Sequence, residues 1–152
     1  MFSIFVKKIE LRAFLEEKSF YRVPLKKLAT GHYSLVAAVN GIDGNFILDT
    51  GASNSCIGLA ASGTFLLKNE ASKVTAAGAG GTGMATQLSR GTKVKIKEKK
   101  LKNVDFVIFD LSHVNGALAQ MNEGPVQGII GADVLKAHRA VIDYGRNCLY
   151  IK

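Results

Sequence analysis

Phe46-Ile47-Leu48-Asp49-Thr50-Gly51-Ala52-Ser53 is the stretch on which the fold turns. An apolar run ends at a carboxylate, and a hydroxyl and a glycine follow at once. A strand leading into Asp49 gives that carboxylate a rigid base. Gly51 permits a backbone geometry that other residues resist and leaves room beside the carboxylate. The hydroxyls of Thr50 and Ser53 are placed to hold the loop. Strands that end in an Asp-x-Gly turn are common. The apolar pair before Asp49 and the Ala-Ser after Gly51 set this one apart.

Working outward, Tyr33 to Val39 predicts a strand, residues 40–44 a turn, and Asn45 to Leu48 a second strand, a hairpin that delivers the chain to Asp49. Beyond the loop, Cys56-Ile57-Gly58-Leu59 is short and apolar, and residues 60–72 read as irregular. Lys73–Ala77 and Met84–Leu88 form two arms around a glycine-rich tip. Thr92–Lys97 and Leu101–Phe109 predict strands, the second nearly all apolar at its end and therefore central. His113–Glu123 predicts a loop or short helix, Gln127–Ile130 a buried strand, Ala132–Ala137 a short helix. Ala140–Asp143 and Cys148–Ile151 predict a closing hairpin. Upstream, Ile4 to Lys18 carries helical periodicity, and Ser19 to Leu28 is extended, with Pro24 arguing for an edge. Many short strands and turns with little helix predict an all-β, closed fold.

Composition agrees with one packed domain. The chain has 152 residues, 47% of them hydrophobic, with 16 Gly and 2 Pro, which suits many tight turns. The net charge is +8. Lys93, Lys95 and Lys97 alternate with Val94 and Ile96, the pattern of a strand with one wet face, and no aromatic residues interleave as a base-stacking platform. Nucleic acid is therefore not expected as a partner. Lys7 and Lys8 interrupt the first apolar residues, no stretch is long enough to span a membrane, and Cys56 and Cys148 are far apart, so a cytoplasmic protein with no membrane partner is expected.

The segment around Asp49 resembles the retropepsin-like family of aspartic peptidases, which carry two apolar residues, Asp-Thr-Gly, then Ala or Ser, then Ser or Thr. Ile47 to Ser53 match that pattern. Downstream, Ile129-Ile130-Gly131 followed by Ala132-Asp133-Val134-Leu135 resembles the family's apolar-apolar-Gly strand and short helix. The glycine-rich segment stands where the family places a flap over its active site. The resemblance implies a closed acid-protease barrel with a flap hairpin, one short C-terminal helix and an N-terminal helical extension. The expected division is an extension of helix plus edge strand over 1–28 and a protease domain over 29–152. It implies Asp49 as the catalytic acid, supported by Thr50, Gly51, Ser53 and Gly131. Ala77, Gly78, Ala79, Gly80 and Gly81 are then flap and substrate-binding residues. It implies an aspartic endopeptidase acting on extended peptides, with no cofactor or metal. One Asp-Thr-Gly per chain further implies a homodimer, in which Asp49 meets its own copy.

Other patterns count for less. Gly78-Ala79-Gly80-Gly81-Thr82-Gly83 spells a dinucleotide fingerprint, but no buried strand precedes it and no helix follows. His32, His113 and His138 have no ligand spacing. Cys56 reads as a small core residue. The competing function is a catalytically silent module that keeps the fold and binds peptides, because fold and motif do not prove turnover.

Overall fold

The computed structural model describes residues 10–72 and 86–152 in full, and the backbone alone of 76–78 and 81–84. The elements in chain order are α1 (Leu11–Glu17), β1 (Tyr21–Pro24), β2 (Lys26–Lys27), β3 (Tyr33–Val39), β4 (Ile42–Leu48), β5 (Cys56–Gly58) and α2 (Leu59–Ser62). There follow β6 (Glu70–Ala71), β7 (Ala76–Gly78), β8 (Gly81–Met84), β9 (Gln87–Thr92), β10 (Val94–Ile96), β11 (Lys99–Lys100) and β12 (Val104–Phe109). The chain ends with α3 (Ser112–Gln120), β13 (Gly128–Ile130), α4 (Ala132–Ala137), β14 (Val141–Asp143) and β15 (Cys148–Ile151).

The expected hairpin into Asp49 is present, with a tighter turn than 40–44. Asn40 (φ 51°) and Gly41 (φ 85°) both take left-handed backbone, so two residues suffice to reverse the chain. Ile42 then pairs at once with Val39. Gly44 is a strand residue for a different reason: a Cβ there would lie 2.6 Å from the Phe65 ring. The glycine admits that ring to the core, where Phe46 stacks on it at 6.1 Å and meets Phe106 at 6.4 Å.

The long sheet runs β11-β10-β3-β4-β13-β5-β12-β9-β6, with β2 also on β3. β12 lies between β5 and β9, as its apolar composition predicts. The expected closed barrel is not what forms: no sheet among the described residues closes on itself. Closure needs the two end strands to pair, and β11 and β6 are two-residue strands hydrogen-bonded on one side. β11 ends the sheet with two lysines, which disfavours edge pairing. β7 and β8 form a separate antiparallel hairpin, within the segment expected as a flap. A second sheet has the order β1-β15-β14, and Pro24 stands on its edge strand β1, as expected.

Helix is more frequent than the sequence suggested. Residues 59–62, inside a segment read as irregular, form α2, and residues 70–71 pair with β9 as β6. Residues 112–120 form a full helix, α3, whose buried Leu118 packs with Leu28, Ile47 and Val126. The helix expected over 4–18 is seen from Leu11 to Glu17, residues 4–9 lying outside the described part. Leu15 is its buried residue and packs on Cys148 and Tyr150 of β15.

β4 is buried on both faces. Phe46 faces the main core with Leu35, Ile57, Phe106, Ile130 and Leu149, while Ile47 faces α3. A strand so enclosed is held by apolar contact on each side, at roughly 1.5–3 kcal/mol per large buried side chain. It makes a rigid base for the residue that follows it.

Candidate active site

β4 runs parallel to β13, Phe46 opposite Gly128 and Leu48 opposite Ile130. Asp49 continues that ladder by one bond: its N–H donates to the Ile130 carbonyl at 3.0 Å. The chain then turns, the Ala52 N–H donating to the Asp49 carbonyl at 3.3 Å. The Gly51 N–H donates to Asp49 Oδ1 at 2.8 Å. Among the described residues no hydrogen bond reaches Oδ2. Asp49 is half-buried, and Thr50, Gly51 and Ser53 are exposed. One oxygen is thus fixed by the loop. A Cβ on Gly51 would come to 3.2 Å from Oδ1, so the glycine permits the close approach of its own N–H.

Gly131 is wedged behind the loop. A Cβ there would lie 2.7 Å from the Ala52 carbonyl oxygen and 2.9 Å from both the carbonyl carbon and oxygen of Asn54. The next N–H, of Ala132, donates to that Ala52 oxygen at 2.7 Å. Gly131 is therefore in contact with the Asp49 loop, and the contact leaves no room for a side chain.

The hydroxyl that holds the loop is that of Ser55, which sequence reasoning did not single out. Ser55 is fully buried. Its Oγ accepts the Gly131 N–H at 2.9 Å and donates to Asp133 Oδ1 at 2.7 Å. Its N–H donates to both Asp133 oxygens at 2.9 Å. Asp133 also accepts the Val134 N–H at 2.8 Å, in the first turn of α4. Bonds to an ionised acceptor are the stronger kind, and here they tie the loop to α4 across 78 positions of sequence. Ser53, by contrast, is exposed and makes no hydrogen bond among the described residues.

No second aspartate of the chain is available as a partner for Asp49. Asp133 is committed to Ser55, Asp105 accepts from Gly91, Asp110 from Ser112 and Asp143 from Arg146. Asp43 lies exposed near the far end of β4. Of the residues expected in a flap, Ala77 and Gly78 lie in β7 and Gly81 in β8; Ala79 and Gly80 fall outside the described residues.

The two cysteines and His138 are accounted for structurally. Cys56 and Cys148 are free and buried. Burial pushes the Cys56 thiol up to about 12, the nearby Asp133 and Asp49 charges adding to the rise and a backbone hydrogen bond at Ile129 opposing it. That thiol stays protonated and unreactive at neutral pH. His138 is buried between two chain segments, Nδ1 facing the Lys152 carbonyl at 3.0 Å and Nε2 accepting the Lys102 N–H at 3.3 Å. This arrangement selects the tautomer protonated on Nδ1. No group of three metal-binding side chains occurs among the described residues. No helix of the described residues is long and apolar enough to cross a membrane.

Of two clefts, one borders the Asp49 loop. That one, of about 390 Å³, is lined by Thr50 with Ala132, Leu135, Lys136, Arg139, Ala140 and Ile142. A larger one, about 710 Å³, lies elsewhere, lined by Gly44, Asn45, Gly58 and Gln127 among others. Those residues mark the opposite ends of β4, β5 and β13. Four residues of extended strand separate Asn45 from Asp49, about 13 Å.

Comparison with known proteins fits this geometry. The family model described as aspartyl protease matches residues 35–134, from β3 through the start of α4. A search of the curated proteins gave no match. Among solved structures, the chain is similar to EIAV protease complexed with the inhibitor HBY-793 (22% identity, TM-score 0.52, covering 68% of this chain and 84% of that one). It is similar to a retropepsin-like aspartic protease from Rickettsia conorii (17%, 0.59, 87% and 90%). It is also similar to the retroviral protease-like domain of Ddi1 from Leishmania major (19%, 0.54, 78% and 85%). At these identities the structural likeness speaks for the fold, and the family match speaks for descent. The chain has a retropepsin-like fold and belongs to the aspartyl protease family.

Proposed function

We propose that this chain is one subunit of a homodimeric aspartic endopeptidase in which Asp49 of each copy contributes one carboxylate to a shared catalytic pair. The observation that carries the reading is the state of Asp49. It stands at the end of a doubly buried strand, with Oδ1 held by the Gly51 N–H and Oδ2 without a donor among the described residues. Thr50 and Gly51 beside it are exposed, where a second copy can approach.

Two carboxylates brought that close cannot both ionise easily, so the pair retains one proton over a range of pH. A water between them loses a proton to the ionised member as it attacks the scissile carbonyl, while the protonated member donates to the carbonyl oxygen. Bond cleavage then passes a proton to the leaving amine. The fixed Oδ1 keeps each carboxylate oriented through the cycle. The β7–β8 hairpin, with Ala77, Gly78 and Gly81 in its strands and Ala79 and Gly80 between them, is assigned to cover an extended peptide. Its glycines suit a lid that must open.

The test is digestion of a diverse peptide library from acidic to neutral pH, read by mass spectrometry, with Asp49→Asn in parallel. Cleavage is expected, falling about 10²–10⁴-fold or more in the variant, the range for loss of a general acid–base group. No cleavage by folded, dimeric protein would favour a peptide-binding module. Cleavage that survives Asp49→Asn would remove Asp49 from the mechanism.

A further inference from the structure

Positive charge gathers along the β10–β11 hairpin, and aromatic side chains stand exposed beside it. Six lysines and one carboxylate, Glu98, occupy residues 93–102. β10 and β11 fold this segment back on itself, so Lys95 stands directly opposite Lys100 and Ile96 opposite Lys99. Like charges facing each other across a ladder destabilise it, and Glu98 relieves Lys95 alone, at 3.5 Å. Among the described residues no carboxylate lies within ion-pair distance of Lys99, Lys100 or Lys102.

Short contacts tie this hairpin to Lys152 and to α1. The Lys102 N–H and the Lys152 carbonyl meet the two nitrogens of one ring, that of His138, at 3.3 and 3.0 Å. Lys99 Nζ lies 5.3 Å from the centre of the Tyr21 ring, Lys152 Nζ 5.8 Å from that of Phe20, and Lys18 Nζ 5.0 Å from that of Phe14. Phe14 and Tyr21 are 42% and 46% exposed, and Leu11, one turn before Phe14, is exposed as well. α1 thus buries Leu15 and leaves Leu11, Phe14 and Lys18 outside. The carboxylates of this helix are Glu16, which pairs with Arg12, and Glu17. Protection of a sheet edge accounts for Lys99 and Lys100. It does not account for aromatic rings left in water beside them.

We propose that this face, built from α1, the start of β1, the β10–β11 hairpin and Lys152, docks on an anionic phospholipid membrane. Lysines meet the headgroups there, exposed rings sit at the polar–apolar boundary, and the lysine stems cover apolar area. Ahead of α1 the sequence repeats both ingredients, with Phe2, Ile4, Phe5, Val6 and Ile9 beside Lys7 and Lys8. Attachment to a surface needs no spanning segment. Nucleic acids and acidic polypeptides match the charge but offer no such boundary for Leu11, Phe14 and Tyr21. The inference is independent of the two-carboxylate reading, since none of its residues lies in the Asp49 loop.

The test is co-sedimentation of the full chain with vesicles of phosphatidylcholine, alone or mixed with phosphatidylserine. The native chain is compared with the triple variant Lys99→Gln, Lys100→Gln, Lys102→Gln. The triple variant Lys26→Gln, Lys27→Gln, Lys68→Gln, exposed lysines elsewhere, makes the same change in net charge and serves as control. The chain has no tryptophan, so Tyr21→Trp reports insertion by a blue shift of its emission, with Met121→Trp, exposed just after α3, as its control. Binding is expected to the vesicles with phosphatidylserine and not to phosphatidylcholine alone. A lysine near an anionic surface contributes roughly fivefold, so the hairpin variant should bind about a hundredfold more weakly. The control variant should lose far less, and the emission of Tyr21→Trp should shift while that of Met121→Trp does not. Unchanged urea midpoints establish that the variants fold, and the tryptophan pair reads the contact with every lysine in place. Equal losses in the two triple variants, or no binding to phosphatidylserine vesicles, overturn the proposal. So does an unshifted Tyr21→Trp on vesicles that bind, and a single-stranded oligonucleotide or polyglutamate that binds instead then identifies a soluble polyanion as the partner.

Discussion

At the scale of single residues, the site depends on a serine and an aspartate that do no chemistry on substrate. Ser55→Ala removes a buried hydroxyl that serves both Gly131 and Asp133, and leaves the Gly131 N–H without a partner. The expected cost is roughly 1–3 kcal/mol in urea unfolding, with kcat lowered because the Asp49 loop loses its anchor. Cys56 makes a prediction about pH. Its thiol is raised from 9.0 to about 12 in the folded chain, so above pH 9 the unfolded chain has released a proton that the folded chain still holds. Stability then falls as pH rises from about 9 to about 12, by up to about 1.4 kcal/mol per pH unit. Urea midpoints measured across that window should flatten in Cys56→Ala after allowing for its lower overall stability. Asp49 was legible in the sequence because its neighbours in the chain set its environment: Ile47, Leu48, Thr50 and Gly51. Ser55 was not, because its partner Asp133 lies 78 positions away, and a serine before an apolar pair has no signature of its own.

At the scale of elements, the strands with strong local patterns were readable and the pieces defined by distant partners were not. β3, α4 and the β14–β15 hairpin carry apolar alternation, a short helical run or a turn within their own residues. α3 has the polar sequence Ser112-His113-Val114-Asn115-Gly116, and its helical form is fixed by Leu118 packing on Ile47 and by Asn115, whose side chain bonds both the N–H and the carbonyl of Val126. β6 is a strand solely because β9 lies beside it. Gly44 looked like part of a turn, and the ring of Phe65, far along the chain, decided otherwise. The turn itself rests on Gly41. Gly41→Ala places a Cβ at φ 85° and should cost about 1–2 kcal/mol, read as a lower urea midpoint with unchanged slope. No atom lies within 4 Å of that Cβ, so the loss measures backbone strain without a packing term.

At the scale of the whole molecule, charge opposes association. Each chain carries +8, so two copies of +8 bring together +16, and Lys136 and Arg139 flank the cleft beside Thr50. Salt screens such repulsion over about 8–10 Å at ordinary ionic strength. Specific peptidase activity is therefore expected to rise with protein concentration, and the half-maximal concentration to fall as salt is raised over the tens to hundreds of millimolar. Activity proportional to protein at every concentration, with no salt effect on the midpoint, would mean that a pair is not being assembled. The pairing of β1 with β15 also has a consequence for how the protein is made. Tyr21 and Ile151 stand opposite one another although they lie 130 positions apart. During synthesis β1 is made long before its partner, so the three-stranded sheet, and the burial of Leu15 of α1 against Cys148 and Tyr150, must wait until β15 has left the ribosome. Contacts of such long sequence separation slow folding, and β1 stays unpaired on the ribosome until β15 emerges.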